Sequence, residues 1–140
     1  MASSIVIIPT YNEIENIEAI IRAVFDLQKE FHVLIVDDSS PDKTGDCVNR
    51  LRKEFEGKLF LETRTEKSGL GTAYIHGFKW SIAKGYDYIF EMDADFSHTP
   101  SDLIRLQKAC LNGADVAVGS RYKKGVNVVN WPLYRVLLSY

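Results

Sequence analysis

Residues 4–38 read SIVIIPTYNEIENIEAIIRAVFDLQKEFHVLIVDD, and this stretch decides the fold. Its two ends, Ser4–Ile8 and His32–Val36, are β-branched apolar runs of strand length. Between them Ile14, Ile17, Ile21 and Val24 recur at three- and four-residue steps, the apolar face of a helix. A strand, a helix and a second strand of this spacing predict a right-handed crossover and a parallel pair. The pattern continues outward. Leu59–Glu62, Tyr86–Met92 and Asp115–Gly119 read as three further strands. A second helix is expected over 44–55, with Val48, Leu51 and Phe55 on one side and Asp42 as its cap. A third follows Gly71 and reaches Ala83. A fourth starts at Thr99-Pro100-Ser101-Asp102, which offers a cap hydroxyl, a proline at the first helical position and a carboxylate at the third. The expected class is α/β with a mostly parallel central sheet, one domain over residues 1–140.

Composition agrees with a globular chain. Hydrophobic residues make up 46% of the 140 and charged residues 26%, which excludes disordered, collagen-like and disulfide-dense classes. Cys47 and Cys110 stand far apart, outside any metal-ligand spacing, and read as reduced packed thiols of a cytoplasmic protein. The first residues carry no basic region followed by an apolar run, so neither a signal peptide nor a membrane span is expected. The net charge of −2 divides unevenly: residues 1–120 carry −6, and residues 121–140 carry +4 from Arg121, Lys123, Lys124 and Arg135. On charge alone, a basic, acid-free tail is read equally as a site for an anionic ligand or membrane surface and as a solvated end of the chain. Nucleic acid is not an expected partner.

In open α/β sheets ligands bind beyond the carboxyl ends of the strands, and here every strand end is polar. Asp93-Ala94-Asp95 follows the Tyr88-Ile89-Phe90 run, and in extended chain two carboxylates two residues apart face one side. Such a pair repels unless a cation lies between, and hard oxygen ligands shared with phosphates suit Mg²⁺ or Mn²⁺. Asp37-Asp38 ends the second strand, where one acid can accept from a nucleobase or ribose and the other can serve the turn through Pro41-Asp42. Ser68-Gly69-Leu70-Gly71-Thr72-Ala73 lacks both the third glycine of a dinucleotide motif and a G-K-[ST] ending, so it reads as a tight turn before a helix. Arg121, closing the fifth strand, suits a diphosphate. His32, His76 and His98 match no metal spacing.

Taken together, Ile7-Ile8-Pro9-Thr10-Tyr11-Asn12-Glu13, Ile35 to Thr44, Gly69 to Ala73, Met92 to His98, Gly119 to Tyr122 and Asn130 to Arg135 resemble the family 2 glycosyltransferases of GT-A fold. The Ser40-Pro41-Asp42-Lys43-Thr44, Asp95-Phe96-Ser97-His98 and Asn130-Trp131-Pro132 stretches are most similar to the dolichol-phosphate mannose synthase branch. The resemblance implies a Rossmann-like sheet with helices on both faces. It implies that Pro9, Tyr11 and Glu13 line the base and ribose pocket, and that Val36 and Asp38 contact the base. Asp93, Ala94 and Asp95 would hold the donor diphosphate and metal, and Arg121 and Arg135 phosphates of donor or acceptor. Asp93, Asp95 and Arg121 are the catalytic candidates. Where some members carry a glutamine as an added metal contact, this chain has Ser97, whose hydroxyl or a water would serve as the metal contact there beside Asp93 and Asp95. Catalytic domains of the family run well past 200 residues, so the sheet is expected to be incomplete at its C-terminus.

The implied reaction moves a hexose, mannose from GDP-mannose being favoured and UDP-sugars possible, onto a polyprenyl phosphate at the cytoplasmic face of a membrane. An acceptor phosphate is already anionic near neutral pH, so inverting displacement needs no strong base. A family 2 transferase for cell-wall or capsular polysaccharide is the near alternative, and the Asn-Trp-Pro segment speaks against it. A nucleotide-sugar binding module without turnover is the second. A receiver-like signalling domain is the third, and it fails because the first strand ends in Pro9-Thr10-Tyr11 rather than in an acid pair.

Overall fold

A computed structural model describes residues 3–65 and 69–119 of the chain. Four strands and four helices alternate: β1 (Ser4–Thr10), α1 (Ile17–Phe25), β2 (His32–Asp37), α2 (Thr44–Glu54), β3 (Leu59–Thr63), α3 (Leu70–Ala83), β4 (Tyr88–Glu91) and α4 (Asp102–Leu111). The sheet is parallel throughout and ordered β3-β2-β1-β4. β1 pairs with β2 from Ile5 opposite His32 to Thr10 opposite Asp37, and with β4 from Ser4 opposite Tyr88 to Ile7 opposite Glu91.

The unbroken apolar runs of β1 and β2 follow from burial on both faces. Val6, Ile8, Val33 and Ile35 point to one side, where α1, α2 and α4 cover them with Ile17, Ile20, Ile21, Val24, Val48, Leu51 and Leu103. Ile5, Ile7, Leu34 and Val36 point to the other, where α3 packs against them. α3 can approach closely because Gly77 faces Ile7: a Cβ there would stand 2.7 Å from an Ile7 methyl. Helices therefore cover both faces, as the expected class requires.

Three expectations about elements need correction. Residues 115–119 form no strand; Val116 and Val118 are 79% and 83% exposed, and among the described residues no strand pairs with them. β-propensity alone does not make a strand, which needs ladder partners and a face to bury. α4 starts at Asp102 rather than at Pro100. Thr99 and Pro100 accept through their carbonyls from Asp102 and Leu103 in a preceding tight turn, and the helix has no side-chain cap. α3 begins at Leu70, so Gly71 lies inside the helix, and Gly69 at φ +99° makes the turn. Cys47 is buried and Cys110 half-buried, both free thiols, and among the described residues no helix is long and apolar enough to cross a membrane.

Candidate functional site

β1 is flanked by β2 on one side and β4 on the other: the chain steps outward from β1 through β2 to β3 and then crosses back to β4, so the strand order reverses beside β1, where open α/β sheets form a crevice at the carboxyl ends. Among the described residues, all four non-glycine residues with positive φ lie at this edge: Asn12 after β1, Ser39 and Lys43 after β2, and Phe96 after β4. Left-handed backbone at such residues is uncommon and gathers where loops must hold a defined shape.

The loops after β1 and β2 are sewn together by side chains. Ser40 Oγ accepts from the Asn12 amide at 2.9 Å, Thr44 Oγ1 from Glu13 at 3.1 Å, and Asp42 Oδ2 from Ile14 at 3.1 Å. Asp42 Oδ1 also accepts from the Thr44 amide and hydroxyl. Burial pushes the Asp42 carboxyl up, but these hydrogen bonds outweigh it and leave the group below its ordinary range. The expected capping role of Asp42 is thus present from one residue outside the cap position, and it serves two loops.

Asp37 and Asp38 divide their work. Asp37 is buried and accepts from Thr10 Oγ1 at 2.7 Å, from Ser40 Oγ at 2.6 Å and from the Ser40 amide at 3.0 Å. It holds the turn. Asp38 meets Arg64 in a two-pronged pair, Nε to Oδ1 at 2.6 Å and Nη2 to Oδ2 at 2.7 Å, with side chains only 7% and 14% exposed. Arg64 reaches on to Thr72 Oγ1 at 2.9 Å and to the Gly69 carbonyl at 3.3 Å, tying the end of β3 to the first turn of α3. Sequence reasoning assigned no role to Arg64. The signal for it is an arginine closing the strand next to one that ends in two acids.

After β4 the chain leaves the ladder, its last bond running from the Met92 amide to the Ile7 carbonyl. Ala94 and Asp95 lie in a turn, so the two carboxylates meet by a route other than strand alternation. Ser97 joins them: its amide donates to Asp95 Oδ1 at 3.0 Å and its hydroxyl to Asp93 Oδ2 at 3.4 Å. The bonds from Ser97 hold Asp95 below the ordinary aspartate range. Tyr74 of α3 donates its hydroxyl to Asp93 Oδ1 at 3.0 Å, and His98 Nδ1 accepts from the Asp93 amide at 3.3 Å. Burial and then the charge of Asp93 push the Tyr74 phenol far above its usual value, so it stays a donor. Desolvation, followed by Asp93, also raises the Glu91 carboxyl. The site is a negative field lined by oxygen donors, a setting that fits a hard divalent cation. Among the described residues no three His, Cys, Asp or Glu side chains converge, so such a cation would draw further ligands from elsewhere, as one shared with phosphates does.

Of the other expected residues, Pro9 lies in β1 opposite Val36, Tyr11 is exposed in the following loop, and Glu13 closes the first turn before α1 through its carbonyl. Val36 and Ala94 are buried, Val36 in the cluster beneath α3 and Ala94 in the cluster on the opposite face of the sheet. Arg121 and Arg135 lie outside the described residues.

The family model for glycosyl transferase family 2 matches residues 5–139. The chain belongs to this family. It is 47% identical over 136 residues to the polyprenol monophosphomannose synthase of Mycolicibacterium smegmatis, covering 97% of this chain and 51% of that one. It is 46% identical to the undecaprenyl-phosphate mannosyltransferase of Micrococcus luteus (96% and 54%) and 43% identical to the dolichol-phosphate mannosyltransferase of Pyrococcus furiosus (96% and 37%). The chain therefore spans about half the length of the first two relatives. Among solved structures it resembles a mannosyltransferase from Pyrobaculum calidifontis in complex with GDP-Man and Mn²⁺, with TM-score 0.52 and 28% identity over 55% of this chain and 24% of that one. Staphylococcus aureus TarS 1-349 matches with TM-score 0.63 over 87% of this chain and 40% of that one, and at 21% identity it supports the fold alone. The GT-A fold expected from the family 2 motifs is the fold observed.

Proposed function

We propose that this family 2 transferase moves mannose from GDP-mannose to a polyprenyl phosphate, with inversion, at the cytoplasmic face of a membrane. One observation carries the reading: Asp93 and Asp95, joined through Ser97, stand at the end of β4 beside the crevice that Asp38 borders from the end of β2. The names of the curated relatives support the sugar and the acceptor, and the GDP-Man and Mn²⁺ of the Pyrobaculum calidifontis enzyme support the donor and the metal.

Asp93 and Asp95 would hold a Mg²⁺ or Mn²⁺ ion, which would supply positive charge to offset that of the departing nucleoside diphosphate. Ser97 orients both carboxylates. Asp38, held by Arg64, stands beside the base, while Pro9, Tyr11 and Glu13 border the base and ribose. Arg121 and Arg135 stabilise phosphate charge. The acceptor phosphate attacks the anomeric carbon from the face opposite the diphosphate, and no base need remove a proton from it. UDP-sugars are the alternative donors.

Calorimetric titration of GDP with and without Mn²⁺, beside a transfer assay with GDP-mannose, UDP-glucose and UDP-N-acetylglucosamine, tests this. Mn²⁺ should strengthen GDP binding, and Asp95→Asn should weaken the metal-dependent part by about 1–3 kcal/mol, the scale of a lost charged contact. Unchanged binding in that variant sinks the metal assignment. Asp38→Ala should blur discrimination between GDP and UDP while sparing the metal dependence.

A further inference from the structure

We propose that Tyr74 is the positioning residue of Asp93: its hydroxyl sets the direction in which that carboxylate meets cation and diphosphate. The inference rests on the metal-holding role of Asp93 given above.

Asp93 is poorly held by its own backbone. β4 ends at Glu91, the last ladder bond is made by Met92, and a turn follows at once. Among the described residues two side chains restrain the carboxylate. The Ser97 hydroxyl is at 3.4 Å, the long end of a hydrogen bond, and comes from an exposed residue in the same loop. The Tyr74 hydroxyl is at 3.0 Å and comes from a different element.

That element is firmly seated. Tyr74 follows Ala73 in α3, its ring packed against the cluster of Ile5, Ile7, Leu34 and Val36. One turn on, Gly77 lies against Ile7, and at the helix start Thr72 and Gly69 are held by Arg64. A phenol is a short rigid body with two side-chain torsions, so a donor mounted this way has little freedom. Its bond uses one lone-pair direction of Oδ1 and leaves the carboxylate free to accept or coordinate in others. An outer hydrogen bond of this kind governs how well a carboxylate binds metal. A phenol that merely needed a partner would affect stability when removed and leave metal binding alone.

The test is calorimetric titration of the 140-residue chain with GDP, once with Mn²⁺ and once in EDTA. Tyr74→Phe keeps the ring and removes only the donor. The Mn²⁺-dependent gain in GDP affinity should fall about tenfold in this variant, with affinity in EDTA within about twofold of the parent. In Tyr74→Phe/Asp93→Asn the gain should be no smaller than in Asp93→Asn alone, because the hydroxyl then has no ligand to position. If Asp93→Asn reduces the gain and Tyr74→Phe does not, the positioning role is overturned and the metal reading stands. Equal losses with Mn²⁺ and in EDTA overturn it as well, as the mark of a general packing defect. If Asp93→Asn leaves the gain intact, the metal reading itself falls and takes this inference with it.

Discussion

Two adjacent aspartates of identical chemistry do different things because they face different neighbours. Asp37 turns inward to Thr10 and Ser40 and closes a loop, whereas Asp38 turns toward β3 and finds Arg64. A nearly buried carboxylate gripped by both prongs of a guanidinium stays pre-oriented, and it is costly to leave unpaired. Arg64→Met should therefore destabilise the chain by about 2 kcal/mol, read as a lower midpoint in urea. Arg64→Lys should recover less than half of that, since an ammonium cannot make the forked contact. A midpoint unchanged in the methionine variant would mean that the pair contributes nothing net. The acid pair was legible as residues at a strand end. Which acid closes the turn was not, because that depends on a serine three residues on and an arginine from another strand.

At the scale of elements, α3 is unlike the other helices. It buries Ala73, Gly77 and Ser81 against the sheet and exposes Leu70, Ile75 and Ile82. Small residues inward bring its axis close to β1 and put Tyr74 within reach of Asp93. Gly77→Ala tests the seating. Alanine favours a helix by up to ~1 kcal/mol over glycine, but its Cβ would lie 2.7–3.1 Å from three atoms of Ile7, which is wholly buried. Overpacking of that kind costs about 1–3 kcal/mol. A net loss of about 1 kcal/mol in chemical denaturation is expected, and a gain would show that α3 can shift outward without cost. The tight packing is not visible in apolar periodicity, because a stripe of small residues reads as no stripe at all. The fifth strand failed for the converse reason: alternating valines were visible at 116 and 118, but the partner a strand requires is a property of the assembled sheet.

For the molecule as a whole, charge is the property with a testable consequence. The body to residue 120 carries −6 and the last twenty residues +4, with Trp131, Val136, Leu137 and Tyr140 among them. An acceptor with a phosphate head and an apolar chain matches such a segment. In vesicle sedimentation the chain should bind anionic vesicles, and binding should fall as salt rises, because screening shortens the reach of the four basic side chains. Binding insensitive to salt would assign the contact to apolar residues alone. Absence of binding at low salt would remove membrane contact by these twenty residues.

By itself the sequence determined the class of fold and the order of the first four strands and helices along the chain. Those properties follow from local periodicity and from the handedness of crossovers, both of which act over a few tens of residues. The motifs also placed the chain in its family. Tertiary structure alone decided that β1 lies between β2 and β4, that Asp38 pairs with Arg64, that Ser97 rather than strand alternation joins Asp93 to Asp95, and that Tyr74 reaches Asp93 from α3. Each of these joins groups on different elements or across a turn. A hydrogen bond depends on tenths of an ångström and on angle, and such distances between elements are settled only when the whole sheet and both its layers close together.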